Sequence, residues 1–300
     1  MNYRFLDQVV ALIERQGNRL DGLRLRRALG QPFTPVEAES VLTPYQFRDG
    51  SWDYRMPEEQ PERIGSLGGT IHCMRWLREF GLSEGAQMTH TLDFLASIQA
   101  ADGSFYESKA KLAHSPQKWL KEDALIDRFY FTAAVPMRLV SLGRGQHPIV
   151  DPAIGWLALH WHTWALVTGT WYNLWALECL YPKSPGLSAA LYWRCHATAL
   201  DWLADLDAQP LTWLLDALHG AGFPVDDPLI ANGLDRLLAL QGEDGTWQAR
   251  DDSTLETTVT ALRLLHDYGC TTEFWQTHKP RRRTKPRRLW SPRWQKTTRS

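Results

Sequence analysis

No run of eighteen apolar residues occurs in this 300-residue chain, which excludes a conventional membrane-spanning helix. Cysteine is scarce. Cys73, Cys179, Cys195 and Cys270 form no Cys-x-x-Cys pair and no framework spacing, so they read as reduced, buried thiols. Acidic residues are missing altogether from residues 279–300, which hold ten Lys or Arg. The opening Met1-Asn2-Tyr3-Arg4 leads into a short amphipathic stretch broken by Asp7 and Glu14. That is neither a secretory apolar region nor a transit peptide, and a cytoplasmic protein is expected.

What is present is strongly polarised. The net charge of −1 conceals 23 basic and 34 acidic residues in the 278 outside that basic segment, a net of −11. An acidic body therefore carries a basic, proline-punctuated arm. Apolar residues make up 44% of the chain, enough for a sizeable core, and the length suits one large domain or two ordinary ones. Fifteen tryptophans must be buried or must line something.

Three segments repeat. Gln46–Trp52, Gln99–Phe105 and Gln241–Trp247 each read Gln-x-x-Asp-Gly-Ser/Thr-aromatic. Asp-Gly marks a tight turn, because glycine accepts positive φ and aspartate bonds its own backbone. A second element follows each heptad: Thr70 and Gly81, Thr132 and Gly143, and Thr258 and Gly269 are each eleven positions apart. Apolar residues recur at helical spacing inside these windows, and the glycine stands where a helix C-terminal cap belongs. Helical stretches also lead into the heptads, as in Leu92–Gln99 and Leu234–Gln241. The unit is helix, turn, variable loop, helix, glycine. Two further units keep the frame without the heptad, one from Asp151 to Leu180 and one from His196 to Gly222. Asp151-Pro152 and Asp227-Pro228 read as helix starts, with Asp capping and Pro at the first helical position. Five hairpins result, and residues 3–29 supply a candidate sixth.

The heptad resembles the repeat signature of squalene and oxidosqualene cyclases, shared more loosely with protein prenyltransferase β subunits. The resemblance spans residues 36–272. It implies an all-α fold, an α/α toroid in which inner helices are wrapped by outer ones around a cavity at the inner helices' N-terminal ends. A hairpin cannot bury both faces alone, so stacking in a closed ring is a natural solution. In that setting the Gln satisfies backbone groups at a neighbouring helix end while the aromatic covers it. The expected organisation is N-terminal helices over 1–30 packing on the toroid, the toroid over 31–275, and a disordered basic tail over 276–300.

The chemistry that the resemblance implies is an isoprenoid reaction, yet its usual motifs are absent. The nearest match to Asp-x-Asp-Asp is Asp205-Leu206-Asp207, which lacks the final carboxylate, and these acids are expected at a helix end. No Asp-Asp-x-x-Asp and no Asp-x-Cys pair occurs, and His160 and His162 supply no zinc signature. Four acids remain candidates for catalysis: Asp123 and Asp127, one turn apart, and Asp252 and Glu256, four residues apart on one helical face. Each pair could share a proton or hold a cation; each is equally an ordinary acidic first turn. Cofactors are undetermined, with magnesium expected only if a diphosphate is handled.

His72, Tyr130, Trp164, Trp171, Tyr172, Trp175 and Trp213 are the candidate substrate-binding residues. Aromatic faces suit isoprenoid cations, although aromatics at helical spacing also serve as core. The expected function is thus an isoprenoid-binding or isoprenoid-transforming protein with a small hydrophobic ligand. The alternative is a non-catalytic toroid that binds a hydrophobic ligand or a protein partner. The basic tail is a candidate contact for an anionic membrane surface, and no nucleic-acid-binding module precedes it.

Overall fold

A computed structural model describes residues 6–53, 55, 63–112, 125–160, 179–180, 189–249 and 253–270. Among these the chain is all-helical. Twelve α-helices are present, with no strand beyond two isolated bridges at Trp52. They are α1 (Leu6–Gln16), α2 (Arg19–Ala28), α3 (Pro35–Leu42), α4 (Leu67–Glu79), α5 (Ala86–Ile98) and α6 (Lys109–Leu112). The second half adds α7 (Leu125–Ser141), α8 (Val150–His160), α9 (Ala189–Trp202), α10 (Ala208–Gly220), α11 (Pro228–Ala239) and α12 (Thr254–Asp267). None of the described helices is long and apolar enough to cross a membrane.

Five helices end alike. After α2, α4, α7, α10 and α12 the chain turns through Gly30, Gly81, Gly143, Gly222 and Gly269, with φ between 67° and 83°. The residue after each glycine donates its N–H back to a carbonyl of the last turn, as Leu82 does to Leu77 and Cys270 to Leu265, at 2.8 Å in both cases. This satisfies carbonyls the helix would otherwise leave open. These five form the interior: α12 packs along α2 and α10, and α4 packs on α7. Asp227 caps α11 as expected, accepting from the Leu229 N–H at 2.9 Å. Asp151 departs from expectation. A turn bonding the Val150 N–H to the His147 carbonyl starts α8 two residues early, so Asp151 lies inside the first turn.

The three heptads fold into the same turn. In each, the Gln Nε2 donates to the carbonyl of the Asp-Gly glycine, at 3.3, 2.9 and 3.0 Å. The Asp Oδ1 accepts from the following Ser or Thr N–H at 3.0 to 3.1 Å. The aromatics Trp52, Phe105 and Trp247 are fully buried. Their N–H groups donate to Thr70, Thr132 and Thr258, the threonine that opens each second element, at 3.1, 2.9 and 3.1 Å. Gln46 and Gln99 also reach the start of the next flanking helix, donating to the carbonyls of Gln87 and Ile149 at 2.9 Å. The first two turns therefore rivet one hairpin to the next, and the third ties its own hairpin together.

Gly50 shows how close the fit is. It holds φ at 85°, and a methyl group there would run into the His90 carbonyl of α5. Gly50→Ala is expected to destabilise by about 2–4 kcal/mol, from strain and a backbone clash together. Gly81, at φ 70° with open space around it, should lose only about 1 kcal/mol on the same change. Urea unfolding of the two variants checks this; equal losses would mean that the turn does not press on α5.

Candidate functional site

The interior helices carry charge where core helices are usually apolar. Counting six residues back from each capping glycine gives Arg24, Arg75, Met137, Asp216 and Arg263. The four ionisable ones are between 1% and 6% exposed. Ions this deep persist only when paired and hydrogen-bonded. The four ionisable side chains belong to one linked cluster of ion pairs that also holds Glu79.

Asp216 on α10 is the hub. Arg75 donates Nε to Oδ2 at 3.2 Å, and Arg78 donates to the Asp216 backbone carbonyl at 3.0 Å as well as pairing with Oδ1. Arg263 pairs with Oδ1 too, and Arg138 reaches Oδ2 at 3.6 Å. Glu79 takes the Arg24 Nε at 3.0 Å and lies 3.7 Å from the Arg263 Nε. Arg24 donates Nη2 to Thr260 at 2.8 Å. Burial opposes ionisation of Asp216, but the guanidiniums of Arg78, Arg263, Arg75 and Arg138 outweigh it and hold its carboxyl well below the usual carboxylate range.

Closer to the helix N-termini lies the part the sequence anticipated. His72 stands three residues before Arg75 on α4, and Glu256 stands in the first turn of α12. The structure brings them together, His72 Nε2 to Glu256 Oε1 at 3.2 Å, although 184 positions separate them. Arg75 Nη1 and Arg24 Nη1 lie 3.6 and 4.0 Å from the same oxygen. Burial disfavours the Glu256 anion, yet His72, Arg75 and Arg24 hold its carboxyl well below the ordinary value. Burial lowers the His72 pKa, against the pull of Glu256. At neutral pH the pair is an ionised carboxylate beside a neutral imidazole. It can accept a proton or a hydrogen bond. It is not a strong acid.

Tyr130 lies half-buried on α7, its hydroxyl pKa raised by burial against the fields of Arg138 and Arg75. Trp213 on α10, three residues before Asp216, packs partly buried against the core. Asp127 is buried in the first turn of α7. Its neighbour Arg128 turns elsewhere, reaching Asp102 of the second heptad at 2.9 Å. Asp205 closes a short 3₁₀ turn and Asp207 immediately precedes α10, the helix-end placement expected of both. Asp123, Asp252, Trp164, Trp171, Tyr172 and Trp175 lie outside the described residues, as do residues 271–300.

A comparison with protein-family models finds no match, and none is found among curated proteins. The site therefore has to be read from its own residues. Among the described residues no group of three or more His, Cys, Asp and Glu gathers as a metal site would require. The buried Oε1 of Glu256 already lies within 4.0 Å of an imidazole and two guanidiniums. The arginines and Asp216 were not foreseen from the sequence. Their signal was there: a charged residue six places before the capping glycine in four of the five helices.

Proposed function

We propose that the chain is an α/α toroid of five or six hairpins that binds an isoprenoid-type ligand at the N-terminal ends of its inner helices. In fold and ligand it would be terpenoid-cyclase or prenyltransferase-like. The observation that carries this reading is the convergence of His72 and Glu256 from the first and last heptad-bearing hairpins. Tyr130 stands on the neighbouring α7, within the field of Arg75. Packing of α12 along α2 is what closure of a ring requires. Aromatic and polar groups then share one end of the ring, the arrangement expected of a small-molecule site.

The electrostatics favour one branch of this chemistry over another. Initiation by protonating an alkene needs a carboxylic acid kept protonated, and Glu256 is held ionised. Binding, or proton abstraction by the His72–Glu256 pair, suits the groups better. A non-catalytic toroid is the second reading, favoured by the same ionised Glu256. The test is mass spectrometry of organic extracts of the purified protein, incubated with squalene or with prenyl diphosphates. We expect an isoprenoid to be retained or converted, with the yield falling about tenfold or more in Glu256→Gln, equivalent to some 1.4 kcal/mol of lost interaction. A product unchanged in that variant removes Glu256 from the site. If the parent protein retains no isoprenoid, the reading fails.

A further inference from the structure

Charge is segregated along this chain. Residues 195–256 hold twelve acids against Arg236 and Arg250, while residues 279–300 hold ten Lys or Arg and no acid. A net of −10 thus faces a net of +10. Of those acids, Asp216 and Glu256 are taken up by the interior pairs, and Asp227 caps α11. Asp201, Asp205, Glu243 and Asp244 are exposed and form no ion pair among the described residues.

The fold gathers these four at one place. α11 packs against the 3₁₀ turn Leu203–Asp205 that follows α9, and Arg236 in its last turn reaches the Leu206 carbonyl at 3.5 Å. Asp201 and Asp205 therefore lie beside the end of α11, where the third heptad brings Glu243 and Asp244. The outward face of α9 continues the patch. Trp193, Ala197 and Asp201 stand four residues apart and are all exposed, Trp193 at 64%. An acidic face with a bare indole suits an arginine-rich segment, because guanidiniums pair with carboxylates and also stack on aromatic rings. The route there is short. Burial, with the Asp235 carboxylate of α11 close by, pushes the Cys270 thiol up to about 12, so the chain leaves α12 next to α11. The 12 residues of α11 make a helix about 18 Å long. Residues 271–278, between Cys270 and the first basic residue of the arm, span up to about 26 Å.

We propose that the basic arm, residues 279–300, folds back onto the acidic outer face that α9 and the end of α11 form in its own chain. Its arginines pair with Asp201, Asp205, Glu243 and Asp244, and Trp193 takes a guanidinium against its ring. The tether holds the arm at high local concentration, ahead of any partner in solution. An arm so held is withheld from anionic membranes. The seat does not depend on what the interior binds.

Carbodiimide crosslinking of the full chain, read by peptide mass spectrometry at low ionic strength, tests this. Lys279, Lys285 or Lys296 should join Asp201, Asp205, Glu243 or Asp244. The bonds should vanish at about 1 M salt, where the screening length falls to about 3 Å. Mixing isotope-labelled with unlabelled protein locates the partner: bonds within one copy support the seat, and bonds only between copies overturn it in favour of a second chain. The triple variant Asp201→Asn, Asp205→Asn, Glu243→Gln supplies a second readout. These side chains make no hydrogen bond or ion pair among the described residues, so the variant should melt with the parent. At low salt trypsin should cut it after Arg287 or Arg288 at least about fivefold faster than the parent, and vesicles one-third phosphatidylserine should bind it about fivefold more tightly, since the arm is no longer held by its tethered partner. Equal cleavage and equal vesicle binding would show the arm free in the parent and overturn the proposal.

Discussion

Trp247→Ala should lower the unfolding free energy by about 3–5 kcal/mol, the range for truncating a fully buried large aromatic. The indole is completely enclosed and its Nε1 donates to the Leu237 carbonyl at 2.6 Å. Its own N–H is bonded to Thr258 on α12. One residue thus ties the end of α11 to the start of α12, and alanine, which keeps the backbone bond, would lose the indole bond and leave a cavity. Trp247→Phe is the informative companion, because the second heptad uses Phe105 at the same position and buries it completely. That variant should lose only about 1–2 kcal/mol, from one hydrogen bond and a smaller ring. Urea unfolding followed by circular dichroism measures both. If the alanine variant unfolds at the parent midpoint, the turn does not tie its hairpin together.

Asp216→Asn should be comparably damaging, about 3–5 kcal/mol, since it breaks a buried ionic network by removing one partner. Four guanidiniums lean on that carboxylate, and the amide would present an N–H₂ group to at least one of them. The loss should come through folding, unlike that of Glu256→Gln, which should fall on ligand handling. The same carboxylate sets an acid limit. Its folded pKa lies below its unfolded value, so its stabilisation is complete above the unfolded pKa of about 3.9 and declines as pH falls below that point. Glu256 acts in the same direction. The parent should therefore unfold steeply below about pH 4, and Asp216→Asn should show a shallower dependence there. A variant with parent-like slope and midpoint would mean that the network contributes nothing to the fold.

Legibility followed distance along the chain. The heptad turns and the capping glycines were readable, because Asp-Gly turns, C-terminal caps and helix periods are set within about a dozen residues. The Asp227 cap was readable for the same reason. The start of α8 was misplaced by two residues, since the preceding turn, and not Asp151, starts the helix. His72 and Glu256 were both suspected, but for unrelated reasons, and nothing in the sequence paired them.

The sequence by itself determined the class of fold and its repeating unit: all-helical, with matching turns and glycine ends. Those depend on local backbone bonding and on which side chains tolerate which φ. Only the tertiary structure decided which charges are interior. Arg78 and Arg26 each stand in the last turn of a helix, yet one pairs with buried Asp216 and the other holds Glu37 at the surface. A long side chain on an amphipathic helix can turn inward or snorkel outward. The choice depends on a carboxylate that folding brings from 138 residues away.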